Sequence, residues 1–228
     1  MKIPLFDVDS TLLKGGNKAH AHAFDYAFKT VYGINATFDE ASSQGKIDNQ
    51  ILIEVLGLHG VPPEQTKEKL EKATKAMLTY FLGNQHDSQA IALPGVKELL
   101  KALHKKHAHV GVLTGNVEGI GWKKLEKAGI KEYIGFGAFG NLAFRRPDLI
   151  PIAQQRARDL YKKDFSPFDF VIIGDTPLDI ACAKEGGILS IGVTTGLYSL
   201  EDLTKAGAEL VVTSLEAKDE IISFLEKK

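Results

Sequence analysis

The 228-residue chain contains a single cysteine, Cys182. That scarcity excludes an intrachain disulfide framework and any zinc site built on two or more thiolates. It has no excess of charge: 28 basic residues against 29 acidic ones leave a net charge of −1. A protein that grips the nucleic-acid backbone is usually strongly basic, so nucleic acid is not an expected partner. No apolar run approaches the ~18 residues of a membrane-spanning helix. The apolar start, Ile3-Pro4-Leu5-Phe6, is cut off by Asp7 and Asp9, short of the ~7–15 residues in the apolar region of a signal peptide. A cytoplasmic location without a membrane partner is the expectation. There is no internal repeat, no Gly-x-Ser-x-Gly elbow and no Walker-type Gly-Lys-Ser/Thr loop.

What is present is ordinary for a globular protein: 44% hydrophobic and 25% charged residues. The length suits one large domain, or a core with a smaller insert. Residues 3–6 read as a buried strand with Asp7 and Asp9 at its carboxyl end. From about 17 to 86 the texture is helical. Phe24, Phe28, Val31 and Tyr32 recur at helical spacing, as do Ile51, Val55 and Leu58, then Leu70, Ala73, Met77, Tyr80 and Phe81. After Leu93 strands alternate with helices, with strands expected at 109–113, 168–173, 188–193 and 210–212. This predicts an α/β fold: a Rossmann-like, mainly parallel sheet with helices on both faces, plus a small all-helical insert. The expected division is a core of 1–14 and 91–228 with a cap of 15–90, with Gly15-Gly16 and Leu93-Pro94-Gly95 as hinges.

In an open α/β sheet, ligands bind outside the carboxyl ends of the strands. Three strand ends here carry polar clusters: Asp7-Val8-Asp9-Ser10-Thr11, Thr114-Gly115-Asn116 and Gly174-Asp175-Thr176-Pro177-Leu178-Asp179. Each taken alone is most simply a turn or a helix cap. Together they bring Asp7, Asp9, Asp175 and Asp179 to one edge. So many carboxylates repel one another unless a cation intervenes, and an oxygen-rich cluster suits Mg²⁺. Mg²⁺ held this way accepts a phosphate oxygen. Thr114 and Asn116 can donate to that phosphate, and one carboxylate can serve as a nucleophile to give an aspartyl-phosphate.

In order and spacing, Asp7-Val8-Asp9-Ser10-Thr11-Leu12, Thr114 and Gly174-Asp175-Thr176-Pro177-Leu178-Asp179 resemble motifs one, two and four of the haloacid dehalogenase-like hydrolase superfamily. The form of motif four resembles the phosphoglycolate-phosphatase branch, and the insert resembles a type-one cap. The resemblance implies a Mg²⁺-dependent phosphatase acting on a small phosphorylated metabolite, with phosphoglycolate the leading candidate, as a monomer or homodimer. It implies that Asp7 is the nucleophile and a metal ligand. Asp9 is the general acid and then base, with its backbone carbonyl on the metal. Thr114 holds phosphoryl oxygens, Asp175 ligates Mg²⁺ and Asp179 supports the site. Motif three departs from the family's Lys-Pro: the segment reads Phe144-Arg145-Arg146-Pro147. Arg146 is the chosen equivalent, a fixed cation able to clamp phosphate, and Arg145 is its competitor. Gly45-Lys46-Ile47-Asp48 resembles the cap loop that reaches the site, making Lys46 a candidate contact for a substrate carboxylate or second phosphate. His20 shares a helical face with Phe24 and suits core packing as well as ligand contact.

Two rival readings stand beside this one. A phosphomutase of the same superfamily fits the core, although the Arg-Ser cap signature of that branch is absent. A catalytically silent binding protein fits the fold, although it has no need of Asp7, Asp9 and Asp175 together. Two patterns carry nothing. Gly135-Phe136-Gly137-Ala138-Phe139-Gly140 matches Gly-x-Gly-x-x-Gly but runs into no helix, and its glycines read as a flexible lead into Arg146. His104, His107 and His109 straddle a helix end and cannot converge on a metal. Cys182, inside the helix after motif four, reads as a small packed residue.

Overall fold

The structure is a computed structural model and describes residues 1–227. Its centre is a six-stranded parallel sheet in the order β3-β2-β1-β4-β5-β6. The strands are β1 (Ile3–Phe6), β2 (Gly111–Thr114), β3 (Phe136–Phe139), β4 (Phe170–Gly174), β5 (Leu189–Val193) and β6 (Leu210–Val212). A parallel sheet covered on both faces needs near-continuous apolar strands, and Phe170-Val171-Ile172-Ile173 is one. Alternation sends its side chains to opposite faces. Ile3, Leu5, Phe170 and Ile172 pack into one layer with α7 (Leu149–Tyr161) and α8 (Pro177–Glu185). Phe6, Val171 and Ile173 pack into the other with α5 (Val96–Lys105) and α10 (Lys218–Glu226). Residues Leu5 and Phe6 lie in register with Ile172 and Ile173 of β4 on one side, and with Gly111 and Val112 of β2 on the other. The chain runs from β1 out to β2 and β3, then returns to lay β4, β5 and β6 on the opposite side. The carboxyl ends of β1, β2 and β4 therefore surround the point where strand order reverses, which is where such sheets bind ligands.

Residues 15–90 add no strand to that sheet. They form α1 (Lys18–Ala27), a short π-turn (Phe28–Tyr32), α2 (Asp48–Leu58), α3 (Pro63–Glu68) and α4 (Leu70–Gly83). Asn17 caps α1, its side chain accepting from the His20 amide at 3.1 Å, and Pro63 opens α3 at the position where a missing N–H costs nothing. Phe24, Phe28, Leu52, Val55, Met77 and Phe81 are buried together. Val117 and Ile120, at the start of α6 (Glu118–Lys127), join the same cluster, so the helical unit shares apolar packing with the sheet-bearing part.

Two local expectations are corrected. The glycine-rich 135–140 segment is not a flexible lead but contains β3, whose Phe136 and Ala138 face one layer and Phe139 the other. Gly137 has no Cβ to hold because Val112 lies within 2.6 Å of where one would sit. The strand expected from 109 begins at Gly111. His109 instead stacks on Tyr161, with ring centroids 3.6 Å apart.

Ile172 is fully buried in a central strand, and truncating such a side chain removes apolar contact and leaves a cavity. Ile172→Ala is expected to lower unfolding stability by about 2–5 kcal/mol, as measured by denaturant titration. A loss under about 1 kcal/mol would contradict the packing described.

Candidate active site

Asp7 leaves the end of β1 and is buried. Its neighbour two residues on, Asp9, is followed by Ser10 in a left-handed conformation at φ 61°. A non-glycine residue rarely adopts that shape. Here it is held by Thr195, whose hydroxyl donates to the Ser10 carbonyl at 2.5 Å. Asp175 ends β4 and accepts from the Thr11 hydroxyl at 2.9 Å. Asp179 lies in the first turn of α8. Its Oδ2 accepts from the Thr176 amide and hydroxyl at 3.0 and 2.7 Å, a capping box that turns the carboxyl back toward the strand end. This fold-back requires Gly174, since a Cβ there would sit 2.2 Å from Asp179 Cγ.

Asp7, Asp175 and Asp179 each offer an oxygen within 4.8 Å of the others, and all three are buried. The cation among them is Arg146, itself buried. Its Nη2 lies 3.3 Å from Asp7 Oδ1 and contacts Asp179 Oδ1. Three carboxylates against one guanidinium leave a surplus of negative charge. Asp179 Oδ1 also takes no aligned hydrogen bond. A compact all-oxygen donor set with excess negative charge fits a hard divalent cation such as Mg²⁺. The electrostatics agree. Burial, opposed by Arg146 and reinforced by Asp179, raises the Asp7 carboxyl from 3.8 to about 6. Burial, then Asp7 and Asp179, raises Asp175 to about 8. Burial works against the charge of Arg146, but Asp179 and then Asp7 outweigh it and push its pKa up.

Arg146 also reaches the helical unit, with Nη1 donating to the Gly45 carbonyl at 2.9 Å. The 45–48 loop is seated on the end of β2 by further bonds. The Asp48 amide donates to the Gly115 carbonyl and the Val117 amide donates to Asp48 Oδ2, both at 2.8 Å. The seat needs a glycine at 115, because a Cβ would meet the Lys46 carbonyl oxygen at 2.3 Å. A polar cavity of about 810 Å³ lies between loop and sheet. Arg145, by contrast, is exposed and pairs with Glu185. Lys46 lines the cavity, but its ammonium is tied to Glu54 on α2.

Asp9 is held apart from the three-carboxylate group. Its Oδ2 accepts from Asn116 Nδ2 at 2.8 Å, and Thr114 Oγ1 accepts from the same amide at 2.8 Å. The other partner of Asp9 is Lys124, a residue the sequence reading passed over. Its Nζ lies 2.9 and 2.7 Å from the two Asp9 oxygens. Burial works to raise the Asp9 carboxyl, but Lys124 above all, with His20 and Asn116, holds it below the ordinary 3.8. A signal for Lys124 was present. It sits four residues after Ile120 and directly before Leu125, on the buried stripe of α6. A lysine on an apolar stripe needs a partner. His20 packs 5.4 Å from the Phe24 ring, as its position suggested, and also bonds to Asp48 Oδ2 at 2.9 Å.

Buried carboxylates at the switch point of a doubly wound sheet, with an arginine among them and a helical unit packed over them, are the arrangement of a capped α/β hydrolase. The chain belongs to the haloacid dehalogenase-like hydrolase family, whose sequence pattern matches residues 4–193. It is 26% identical over 155 residues to a phosphoglycolate phosphatase of Vibrio vulnificus, a match spanning 68% of this chain but 66% of that protein. It is 23% identical to a Clostridium perfringens protein provisionally named pyrophosphatase PpaX, across 100% of this chain and 98% of that one. The fold matches that of a β-phosphoglucomutase from Clostridium difficile with a TM-score of 0.72 at 19% identity, over 99% and 96% of the two chains. Family membership and the phosphatase names among relatives support phosphatase activity. No helix among the described residues is long and apolar enough to cross a membrane.

The raised carboxyls give a signed prediction. The folded chain binds their protons more tightly than the unfolded one, so their stabilisation is complete below about pH 4. It is lost as the pH rises through about 6 and then about 8. In chelator, Tm is expected to fall by about 5–10 °C between pH 5 and 8.5, and millimolar Mg²⁺ is expected to restore most of it at the higher pH. A Tm that is flat across this range and indifferent to Mg²⁺ would contradict the charge surplus.

Proposed function

We propose that this protein is a Mg²⁺-dependent phosphatase that hydrolyses a small phosphorylated metabolite through an aspartyl-phosphate on Asp7, with phosphoglycolate the first candidate. The observation that carries the reading is Asp7 held beside Arg146 within a buried carboxylate group, under a docked helical loop. The domain division that goes with it is a core of 1–14 and 91–228 and a cap of 15–90.

In this reading an oxygen of Asp7 attacks phosphorus, the ester P–O bond breaks, and the leaving oxygen takes a proton from Asp9. Water then attacks the phosphorus of the acyl phosphate while Asp9 takes up its proton. Phosphate leaves, and the Asp7 carboxylate is restored. The ionised Asp9 favoured by Lys124 is the form the second step needs. The first step needs the protonated form, which an arriving phosphate dianion favours by adding negative charge beside it. Thr114 and Arg146 hold the phosphoryl oxygens, and Arg146 spreads charge off the transferring group. Asp7, Asp175 and the Asp9 backbone carbonyl would hold Mg²⁺, which would supply further charge neutralisation. Asn116 and Asp179 keep Asp9 and Arg146 in place. Lys46 is the cap residue proposed to meet a substrate carboxylate or second phosphate, and it must leave Glu54 to do so. The phosphoglycolate assignment draws on the Vibrio vulnificus relative and on the form of motif four.

The test is phosphate release from a panel of phosphorylated metabolites, with Mg²⁺ and with chelator, for the wild type and Asp7→Asn. Mg²⁺-dependent release is expected, falling by about 10³-fold or more in the variant while the circular dichroism spectrum is unchanged. Full activity in Asp7→Asn would overturn the mechanism. Isomerised sugar phosphate in place of free phosphate would replace the phosphatase by a phosphomutase.

A further inference from the structure

Lys124 enters the mechanism so far only as a charge that favours ionised Asp9, yet its surroundings are unusual. Its side chain is 1% exposed, on a helix whose neighbouring buried residues, Ile120 and Leu125, are apolar. A buried ammonium must spend its three protons on partners. Lys124 Nζ meets both oxygens of Asp9, Asn116 Oδ1 at 2.6 Å and His20 Nδ1 at 3.1 Å. The bonds close a ring. Because Asn116 Oδ1 accepts from Lys124, the amide's Nδ2 is left to donate to Asp9 Oδ2. The Asp9 carboxylate is thus gripped from two sides by groups whose own orientations are fixed.

The ring extends into the helical unit. With Lys124 donating to Nδ1, the His20 ring proton sits on Nε2 and goes to Asp48 Oδ2. His20 lies in α1 and Asp48 opens α2, so two of the cap's helices contribute to holding the ammonium. Asp48 is in turn bonded to the end of β2 through Val117 and Gly115. One chain of contacts therefore runs from cap helices to the carboxylate proposed to exchange protons with the leaving group and with water.

We propose that Lys124 is a positioning residue for the reaction: its buried ammonium, braced by His20 and Asp48 of the docked cap, fixes the Asp9 carboxylate where it serves as acid and base. The proposal rests on the phosphatase reading for its consequence and on geometry for its basis. Lys124 touches no reacting atom, and its effect passes through Asp9. The chain also means that Asp9 is fully held only when α1 and α2 are seated.

The experiment compares wild type, Lys124→Met and His20→Phe, with Mg²⁺, on two substrates, 2-phosphoglycolate and p-nitrophenyl phosphate. Lys124→Met keeps the stem and removes the charge; His20→Phe keeps a ring against Phe24 and removes the Nδ1 acceptor. An alkyl oxygen needs a proton to leave, whereas p-nitrophenolate does not. A misplaced Asp9 therefore lowers kcat/KM for the alkyl phosphate far more than for the aryl one. The expected loss in Lys124→Met is about 10²-fold on phosphoglycolate and about threefold or less on the aryl ester. His20→Phe is expected to lose about 3–10-fold with the same bias. Equal losses on both substrates, or none, would overturn the proposal, since a merely structural lysine gives no such bias. A crystal structure of Lys124→Met, or of His20→Phe if the first does not fold, supplies an arm independent of turnover. The proposal expects the Asp9 carboxylate to leave its bond with Asn116, and an unmoved carboxylate overturns it. If wild type hydrolyses neither compound, the phosphoglycolate assignment fails, and the crystallographic arm still decides whether Lys124 places Asp9.

Discussion

The arrangement at the sheet edge depends on the charge balance around one buried guanidinium. Arg146 is the cation placed among Asp7, Asp175 and Asp179, three carboxylates that share a volume too small to be tolerated unpaired. It cannot lose its proton, so its charge is constant. Asp7 and Asp175 remain raised in spite of it, by burial first and then by the neighbouring carboxylates, whose three negative charges one positive charge falls short of balancing. The shortfall is what makes the site receptive to a divalent cation, and it is built from main-chain turns. Thr176 caps α8 with Asp179 folded back, and Gly174 makes room for that fold.

Arg146 is also where the helical unit meets the chemistry. The same guanidinium that contacts Asp7 donates to the carbonyl of Gly45. Beside it, the Lys46 carbonyl approaches Gly115 closely enough that a methyl group there has no space. Seating the helical unit and fixing Arg146 beside Asp7 are therefore linked. A cap that lifts away removes a hydrogen bond from Arg146 and, through His20, another from Lys124. Each then has fewer partners in a buried place, which is unfavourable for a charged group.

Much of this was legible in the sequence because strand ends announce themselves. A buried parallel strand is an apolar run, and the acids that end it at Asp7 and Asp175 are conspicuous against it. Helical periodicity in the insert is equally direct, since Phe24, Phe28, Met77 and Phe81 lie on one buried face. Local pattern, the residue before Pro147, favours Arg146 over Arg145, but what separates the two is the fold. The choice depends on which side of the chain faces Asp7 after residues 146–148 make a 3₁₀ turn. Strand β3 was missed because its glycines look like a loop, and only its neighbour Val112 explains why one of them must be small. Lys124 was missed because Lys123-Lys124 reads as a solvated pair. Its partners His20, Asp9 and Asn116 lie 104, 115 and 8 residues away in sequence, and two of those distances are contacts that no local spacing encodes.

The two buried cations divide the work between them. Arg146 stands with the carboxylate proposed as nucleophile and Lys124 with the one proposed as acid and base, and each is anchored to a different piece of the helical insert. The opposite shifts of Asp7 and Asp9 follow from this partition. Asp7 shares its cation with two other carboxylates and stays raised, whereas Asp9 has Lys124 and an amide to itself and is lowered. Two carboxylates two residues apart on one strand end thus acquire different proton affinities from burial set against the charges beside each, which is the usual physical basis for giving paired acids different roles. Ser10, directly after Asp9, takes a left-handed conformation. Asp9 faces Lys124 of α6 while Asp7, on the same short strand end, faces Arg146.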